Sequence, residues 1–155
     1  MNVPTRSALR GLFVTGTDTE IGKTRVSAAL VKAFAKSGAR VAGMKPVAAG
    51  MDDIGGERIN EDVAALRASS SIALPAAEVG PFQFEAACSP HIAAELEGRA
   101  IARDALLGAV HALADRSDLL IVEGVGGFRV PFGGGWDSAD FARDLGLPVV
   151  LVVGV

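Results

Sequence analysis

The sequence predicts an α/β fold in which an open, mainly parallel sheet is covered by helices on both faces. Short apolar segments rich in β-branched residues alternate along the chain with longer segments that carry apolar residues at helical spacing. Residues 118–122 form a nearly continuous apolar run, which is typical of a parallel strand buried on both faces. This regular alternation of strand and helix favours an open parallel sheet with crossover helices.

Three elements are predicted in the first third of the chain. Residues 12–15 form an apolar, β-branched strand that ends at Gly16. An alanine- and leucine-rich helix follows over residues 23–36, and Gly38 ends it as a C-terminal glycine does. A second strand is predicted over residues 40–44.

The middle of the chain mixes helices with irregular segments. We expect a charged, glycine-rich loop over residues 51–60, a helix over 61–68 and an irregular segment over 75–85. Pro90 begins a further helix at the first helical position, where proline is favoured, and Ser89 precedes it as a candidate N-cap.

The last third of the chain continues the alternation. An amphipathic helix over residues 101–116 leads into the buried strand 118–122. We expect a glycine-rich loop over 125–135, a helix over 137–145 and one more buried strand over 147–153. Because ligands of open α/β sheets bind at the carboxyl ends of the strands, residues that directly follow the strands are the candidates for a site.

Length and composition indicate one globular domain over residues 1–155. Of these residues 50% are apolar and 21% are charged, and the net charge of −3 leaves no basic stripe for nucleic acid. The single cysteine, Cys88, excludes a disulfide within the chain and fits a reducing cytoplasm. No segment has the character of a signal peptide or the length of a membrane span, so we expect a cytoplasmic protein without nucleic acid or membrane partners.

The segment between the first strand and the first helix has the features of a phosphate-binding loop. It runs from Gly16 to Thr24 and places Gly22 and Lys23 at the start of the helix. Helix N-termini bind anions, a glycine lets phosphates approach the backbone, and lysine and threonine here reach phosphate oxygens and Mg²⁺. Five residues separate Gly16 from Gly22, one more than the usual pattern. We expect a nucleoside triphosphate with Mg²⁺; the alternative is a turn that only begins an ordinary helix.

Two carboxylates are candidate partners for the metal, since Mg²⁺ commonly takes one or two besides phosphate oxygens. Glu123 directly follows the strand 118–122 and precedes a glycine-rich loop. Asp62 lies at the start of the helix 61–68. The alternatives are that Glu123 only caps the next turn and that Asp62 only caps its helix.

Lys45 directly follows the strand 40–44 and precedes Pro46, so it is expected at the same edge of the sheet as the phosphate loop. A second lysine there could stabilise charge on a transferred phosphoryl group. The alternative is a solvated lysine in a turn.

Together these segments resemble the dethiobiotin synthetase family, ATP-dependent enzymes of biotin synthesis. The additional residue in the phosphate loop is itself a feature of that family. The resemblance implies a P-loop NTPase-like fold that lacks the C-terminal elements of the family. The matching segments, in the family's order, are residues 15–24, 42–48, 60–62, 89–91, 122–127 and 149–155.

The resemblance implies a reaction. Carbon dioxide would add to one amine of 7,8-diaminopelargonate, ATP would phosphorylate the carbamate, and the second amine would close the ureido ring to give dethiobiotin, ADP and phosphate. Lys45 and Lys23 would be catalytic, and Ala49 would lie at a substrate-binding position. The implied Mg²⁺ ligands are Thr24, Asp62 and Glu123. The implied ATP contacts are Glu20, Ile21, Gly22, Lys23, Thr24, Arg25, Asp62, Glu123, Gly124, Val125 and Gly126.

The chain departs from the family in two ways. Ala49 stands where the family commonly has a serine that contacts the substrate. The resemblance also implies that family members continue beyond the position of Val155. The later segments recognise adenine and, from the neighbouring subunit of a homodimer, contact the substrate carboxylate. We therefore expect that the sequence is cut short.

Two other functions stay open. One is a regulatory or positioning P-loop ATPase, although such proteins usually carry a further lysine early in the loop, where this chain has Thr17, Asp18 and Thr19. The other is a nucleotide-binding but inactive fragment of the synthetase.

Overall fold

A computed structural model describes residues 9–154. Residues 1–8 and Val155, with which the last family-like segment ends, lie outside the described residues. The helices are α1 (Lys23–Ala35), α2 (Glu61–Ser69), α3 (Ala76–Val79), α4 (Pro90–Leu96), α5 (Arg103–Ala114) and α6 (Ser138–Leu145). The strands are β1 (Gly11–Gly16), β2 (Val41–Met44), β3 (Val47–Ala49), β4 (Asp52–Ile54), β5 (Glu57–Ile59), β6 (Phe82–Phe84), β7 (Leu119–Glu123), β8 (Pro131–Gly133), β9 (Trp136–Asp137) and β10 (Val149–Val152).

The central sheet has four strands in the order β10-β1-β7-β2, and all three pairs are parallel. Alternate residues of each strand face opposite sides, as the pleat requires. Phe13 and Leu120 join an apolar cluster with α5 and α6, whereas Val14 and Ile121 join a second cluster with Val31 of α1. The predicted α/β fold, a mainly parallel sheet with helices on both faces, is confirmed.

The sheet brings the ends of three strands to one edge. β1 runs into the phosphate loop, β2 into Lys45, and β7 ends at Glu123. Because β7 lies between β1 and β2, with Met44 beside Val122 and Val14 beside Glu123, these three ends are neighbours. This register positions the candidate site.

Three segments that we expected to be irregular contain short regular elements. Residues 51–60 form the antiparallel hairpin β4–β5, in which Gly55 and Gly56 have φ angles of 63° and 86°. A two-residue hairpin turn of this kind requires positive φ, which glycine adopts without strain. Residues 75–85 contain α3 and β6, and β6 pairs in parallel with β3. Residues 125–135 contain β8, which pairs with β9.

The prediction of a buried last strand was wrong for one face of β10. Val149 and Leu151 are 51% and 57% exposed, while Val150 and Val152 pack against the cluster that includes Val31. β10 is an edge strand of the described sheet. Within residues 9–154, no helix covers the side chains of Val149 and Leu151. Among the described residues, every helix is too short or too polar to cross a lipid bilayer.

Candidate functional site

The phosphate-loop segment connects the end of β1 to the start of α1. Gly22, the residue before α1, has a φ of 99°, in the left-handed region where a glycine is favoured. Glu20 has a φ of 60° and is the one non-glycine residue with positive φ in the described part of the chain. The first N–H groups of a helix have no partner within it, so the start of α1 offers donors to an anion.

Lys23 spans the loop. Its side chain is buried, and its ammonium donates to the backbone carbonyl of Asp18 at 2.5 Å. Burial lowers the pKa of Lys23, and the positive charge of Lys45 lowers it further, against the opposing effect of Glu123 and Asp62. The loop therefore folds around a lysine whose positive charge is poorly solvated and which an anion would stabilise.

Thr24, Lys45, Asp62 and Glu123 form a compact polar group at the strand ends. The Thr24 hydroxyl lies 2.7 Å from Oδ1 of Asp62 and 2.8 Å from Oε1 of Glu123. The Lys45 ammonium lies 2.7 Å from Oδ2 of Asp62 and 2.7 Å from Oε1 of Glu123. The structure thus brings together four of the residues that the sequence singled out, from β2, α1, α2 and β7.

The charges in this group stabilise one another. Burial lowers the pKa of Lys45, but the carboxylates of Glu123 and Asp62 outweigh it and raise the pKa above its ordinary value. Burial raises the pKa of Asp62, but the Lys45 ammonium and the Thr24 hydroxyl outweigh it and the pKa is lowered. Lys45 is therefore an ammonium and Asp62 a carboxylate at neutral pH.

The oxygen atoms of this group fit a divalent cation. The Thr24 hydroxyl has one proton and cannot donate to both carboxylates at once, although both lie within hydrogen-bond distance. Oε2 of Glu123 is buried and has no hydrogen-bond partner among the residues that the structure describes. Hydroxyl and carboxylate oxygens are ligands of the kind that Mg²⁺ prefers. No three His, Cys, Asp or Glu side chains among residues 9–154 are grouped to hold a metal ion, so a cation here would need Thr24 and phosphate or water oxygens as well.

A cavity of about 730 Å³ opens above this group. Its lining includes residues of the phosphate loop, Ala49, the start of the β4–β5 hairpin and residues 87–90. The predicted site residues that line it are Glu20, Gly22, Lys23, Thr24, Arg25, Lys45, Ala49, Asp62, Glu123, Val125 and Gly126.

Two predicted ATP contacts do not line the cavity. The Ile21 side chain packs close to Gly16 and Gly154. The backbone N–H of Gly124 donates to the carbonyl of Val14 at 2.8 Å, which ties it to β1. Both residues therefore support the loops that border the cavity without lining the cavity themselves.

Several lining residues were not predicted to belong to the site. Asp52 and Ser89 contribute side chains to the cavity, and so does Asn60, which is buried. Asn60 directly precedes α2, and asparagine before a helix is a recognisable N-cap signal. Its contacts with Ala49 and Gly50 lie at the open end of the β4–β5 hairpin, which we expected to be a loop.

Comparison with known proteins relates the chain to one family. Residues 10–155 match a family model described as an AAA domain. The chain is 51% identical over 146 residues to an ATP-dependent dethiobiotin synthetase of Aromatoleum aromaticum, covering 94% of this chain and 65% of that protein. It is 51% identical over 143 residues to the same enzyme of Ralstonia nicotianae, covering 92% and 62%. The resemblance drawn from the motifs is confirmed, and the chain spans slightly less than two thirds of the length of these relatives.

Proposed function

Because the chain belongs to the AAA domain family and matches dethiobiotin synthetases over more than nine tenths of its length, we propose that it closes the ureido ring of dethiobiotin at the expense of ATP. The observation that carries this proposal is the convergence of Lys23, Lys45, Thr24 and two carboxylates on one cavity. A phosphoryl group and a carboxylated amine need such an arrangement of cations and metal-binding oxygens.

The proposed reaction has three steps. An amine of 7,8-diaminopelargonate attacks the carbon of CO₂, loses a proton and becomes a carbamate. A carbamate oxygen then attacks the γ-phosphorus of ATP and ADP leaves, which gives a carbamoyl phosphate. The second amine attacks the carbonyl carbon, the bond from this carbon to the phosphate oxygen breaks, and phosphate and a proton are released as the ring closes.

Lys45 and Lys23 would stabilise the charge in these steps. The Lys45 ammonium is held by Asp62 and Glu123 at the cavity floor, where it can face the carbamate oxygens and the transferred phosphoryl group. Lys23 would exchange its contact with the Asp18 carbonyl for the β- and γ-phosphates. Both cations are largely desolvated, so their interaction with a developing negative charge is stronger than in water.

Thr24, Asp62 and Glu123 would hold Mg²⁺, which neutralises charge on the β- and γ-phosphate oxygens when it is bound. Two observations support this assignment: the Thr24 hydroxyl lies within hydrogen-bond distance of both carboxylates but can donate to only one, and Oε2 of Glu123 has no partner in the described part of the chain. The remaining ATP contacts that we propose lie in the phosphate loop and in the loop after β7: Glu20, Gly22, Lys23, Arg25, Val125 and Gly126. Ile21 and Gly124, which do not line the cavity, would support these loops.

The diamine would bind beside Ala49, which lines the same cavity as the phosphate loop. The proposal includes a homodimer, because the resemblance implies that a neighbouring subunit contacts the substrate carboxylate. It also includes a cytoplasmic location without nucleic acid or membrane partners, which the net charge of −3 supports.

Phosphate release tests the proposal directly. The chain is incubated with ATP, Mg²⁺, the diamine and bicarbonate, each component is omitted in turn, and dethiobiotin is identified by mass. We expect phosphate only when all four are present, and no product from Lys45→Met. Lys32→Met is the matched control, since Lys32 is exposed in the last turn of α1.

The same assay separates the other two functions. Release of phosphate that does not depend on the diamine would overturn the proposal in favour of a regulatory or positioning ATPase. ATP binding without any release would instead identify the chain as a nucleotide-binding part of the synthetase.

A further inference from the structure

The side chain of Asn60 connects two edges of the cavity. Its Oδ1 accepts from the backbone N–H groups of Asp62, at 3.0 Å, and Val63, at 3.3 Å, and so caps α2. Its Nδ2 donates to the carbonyl of Gly50 at 2.7 Å and, more weakly, to that of Ala49 at 3.4 Å. One buried amide therefore joins the helix that carries Asp62 to the end of β3.

The peptide groups at the end of β3 are bonded on one side to the segment that contains β6, where the N–H of Met51 donates to the carbonyl of Glu85 at 3.4 Å. Gly50 has a φ of 87°, so the chain leaves the extended conformation at this residue. Its N–H donates to the carbonyl of Phe84 at 2.9 Å, whereas its carbonyl turns toward Asn60. The amide of Asn60 is thus what fixes the direction of the Gly50 carbonyl at the cavity wall.

Asn60 itself is held firmly. Its backbone N–H donates to Oε1 of Gln83 at 2.9 Å, and Nε2 of Gln83 donates to the carbonyl of Gly80 at 3.0 Å. Asn60 is 7% exposed. Because both ends of its side chain and its backbone are bonded, Asn60 sets the distance between the two edges together with the β4–β5 hairpin, in which Asp52 pairs with Ile59.

We propose that Asn60 is a positioning residue that holds the Ala49–Gly50 edge, where the diamine would bind, at a set distance from the Asp62 carboxylate. The inference rests on the proposed function. Ala49 has no hydroxyl with which to contact a substrate, so the backbone groups of this edge must make the polar contacts. Their placement relative to the metal ligand Asp62 then decides whether the bound amine meets the phosphoryl group.

Two roles of Asn60 can be separated by substitution. Serine caps helices about as well as asparagine, but its short side chain cannot reach the Gly50 carbonyl, which lies 2.7 Å from Nδ2. Asn60→Ser therefore keeps the cap and removes the connection, whereas Asn60→Ala removes both. Asn60→Asp keeps the cap and places a carboxylate oxygen against the Gly50 carbonyl. Ser69→Ala, on the exposed end of the same helix, is the control.

The experiment compares the KM for the diamine, kcat, and the Kd of Mg·ATP in wild type and these variants. For Asn60→Ser we expect the KM for the diamine to rise roughly tenfold, with the Kd of Mg·ATP changed by less than about twofold. Asn60→Asp should raise this KM further, since its carboxylate repels the carbonyl. Asn60→Ala should also weaken Mg·ATP binding, because α2 and Asp62 lose their cap.

Several results would overturn the inference. An unchanged KM in Asn60→Ser shows that the connection to Gly50 is not used. Equal losses of diamine and Mg·ATP affinity in the serine variant show that Asn60 has only a general structural role. If Asn60→Ser does not fold, the KM for the diamine and the Kd of Mg·ATP are measured in Asn60→Asp instead, and the same comparison tests the inference. A wild-type chain that releases no diamine-dependent phosphate overturns the proposed function and this inference with it, which distinguishes that failure from the others.

Discussion

The ammonium nitrogen of Lys45 lies 2.7 Å from Oε1 of Glu123, and both side chains are almost completely buried. The two residues are far apart in the chain, but β2 and β7 are neighbours in which Met44 lies beside Val122. The register of two parallel strands thus places the residues that follow Met44 and Val122 against each other. A buried ion pair of this kind is costly to break, because the partner that is left behind is an unpaired buried charge.

Lys45→Met should reduce stability by about 3–5 kcal/mol, since Glu123 and Asp62 lose their shared cation in a buried setting. Urea denaturation measures the loss. Mg²⁺ should restore part of it, because a divalent cation can take over the same carboxylate oxygens, and the variant should bind Mg²⁺ more tightly than wild type.

Lys32→Met controls for the loss of a lysine as such, because Lys32 is exposed. Stability of Lys45→Met that is independent of Mg²⁺ would contradict the assignment of Asp62 and Glu123 as metal ligands. If Lys45→Met loses as little stability as Lys32→Met, the buried ion pair does not stabilise the fold.

Much of this site could be predicted from local patterns. Strand ends in a parallel sheet share one edge, so Lys45 and Glu123 could be placed near the phosphate loop without knowing which strands pair. The strand order, and hence their direct contact, depends on long-range pairing that local patterns do not encode. The contact between Asn60 and Gly50 was not predicted either, because it depends on the β4–β5 hairpin, which brings these two residues together.

The sequence misled where one pattern fits two structures. An apolar run predicts a strand, but it does not distinguish a strand buried on both faces from the edge strand β10, in which Leu151 is exposed. The β4–β5 hairpin had a local signal in Gly55 and Gly56, which the charged residues around it obscured.

Lys23→Ala should lower the affinity for ATP by at least about tenfold, since a charged hydrogen bond to phosphate contributes about 1.5–3 kcal/mol. Titration with a fluorescent ATP analogue measures the change. Lys36→Ala, an exposed lysine just after α1, should bind as wild type does. If Lys23→Ala and wild type have the same affinity, the segment from Gly16 to Thr24 is not a phosphate loop.

The free energy of unfolding should depend on pH through the carboxylate of Asp137. Its Oδ1 accepts from the N–H groups of Ala139 and Asp140 at 2.9 Å each, and it caps α6, whose Phe141 packs edge-on against Phe13 of β1. The N–H of Asp140 lowers the pKa of Asp137; burial opposes this shift, and Arg129 adds to it. A carboxylate with a lowered pKa stabilises the fold above its unfolded value of about 3.9, and this stabilisation is lost as the pH falls through the lower folded value.

Asp137→Ala should therefore cost about 1 kcal/mol at neutral pH, as measured by urea denaturation. Asp137→Asn keeps a capping oxygen without the charge, so its deficit relative to wild type should shrink below about pH 4. A deficit of Asp137→Asn that stays constant from neutral to acid pH would show that the charge of Asp137 does not stabilise α6.

Ala49→Ser should strengthen binding of the diamine. Ala49 lines the cavity at the end of β3, beside Phe84 in the paired strand, and the resemblance to the dethiobiotin synthetase family implies a serine at this position in other members. A hydroxyl there adds one hydrogen bond, of net worth about 0.5–1.5 kcal/mol, so the KM for the diamine should fall roughly two- to tenfold. The kcat should change little if this contact is made equally in the bound substrate and in the transition state, which is what a change in KM alone reports. Ala87→Ser, which adds a hydroxyl to an exposed residue of the same cavity, is the control. A lower KM in the control and not in Ala49→Ser would place the diamine along residues 87–90, and the assignment of the β3 edge as its binding site would then be wrong.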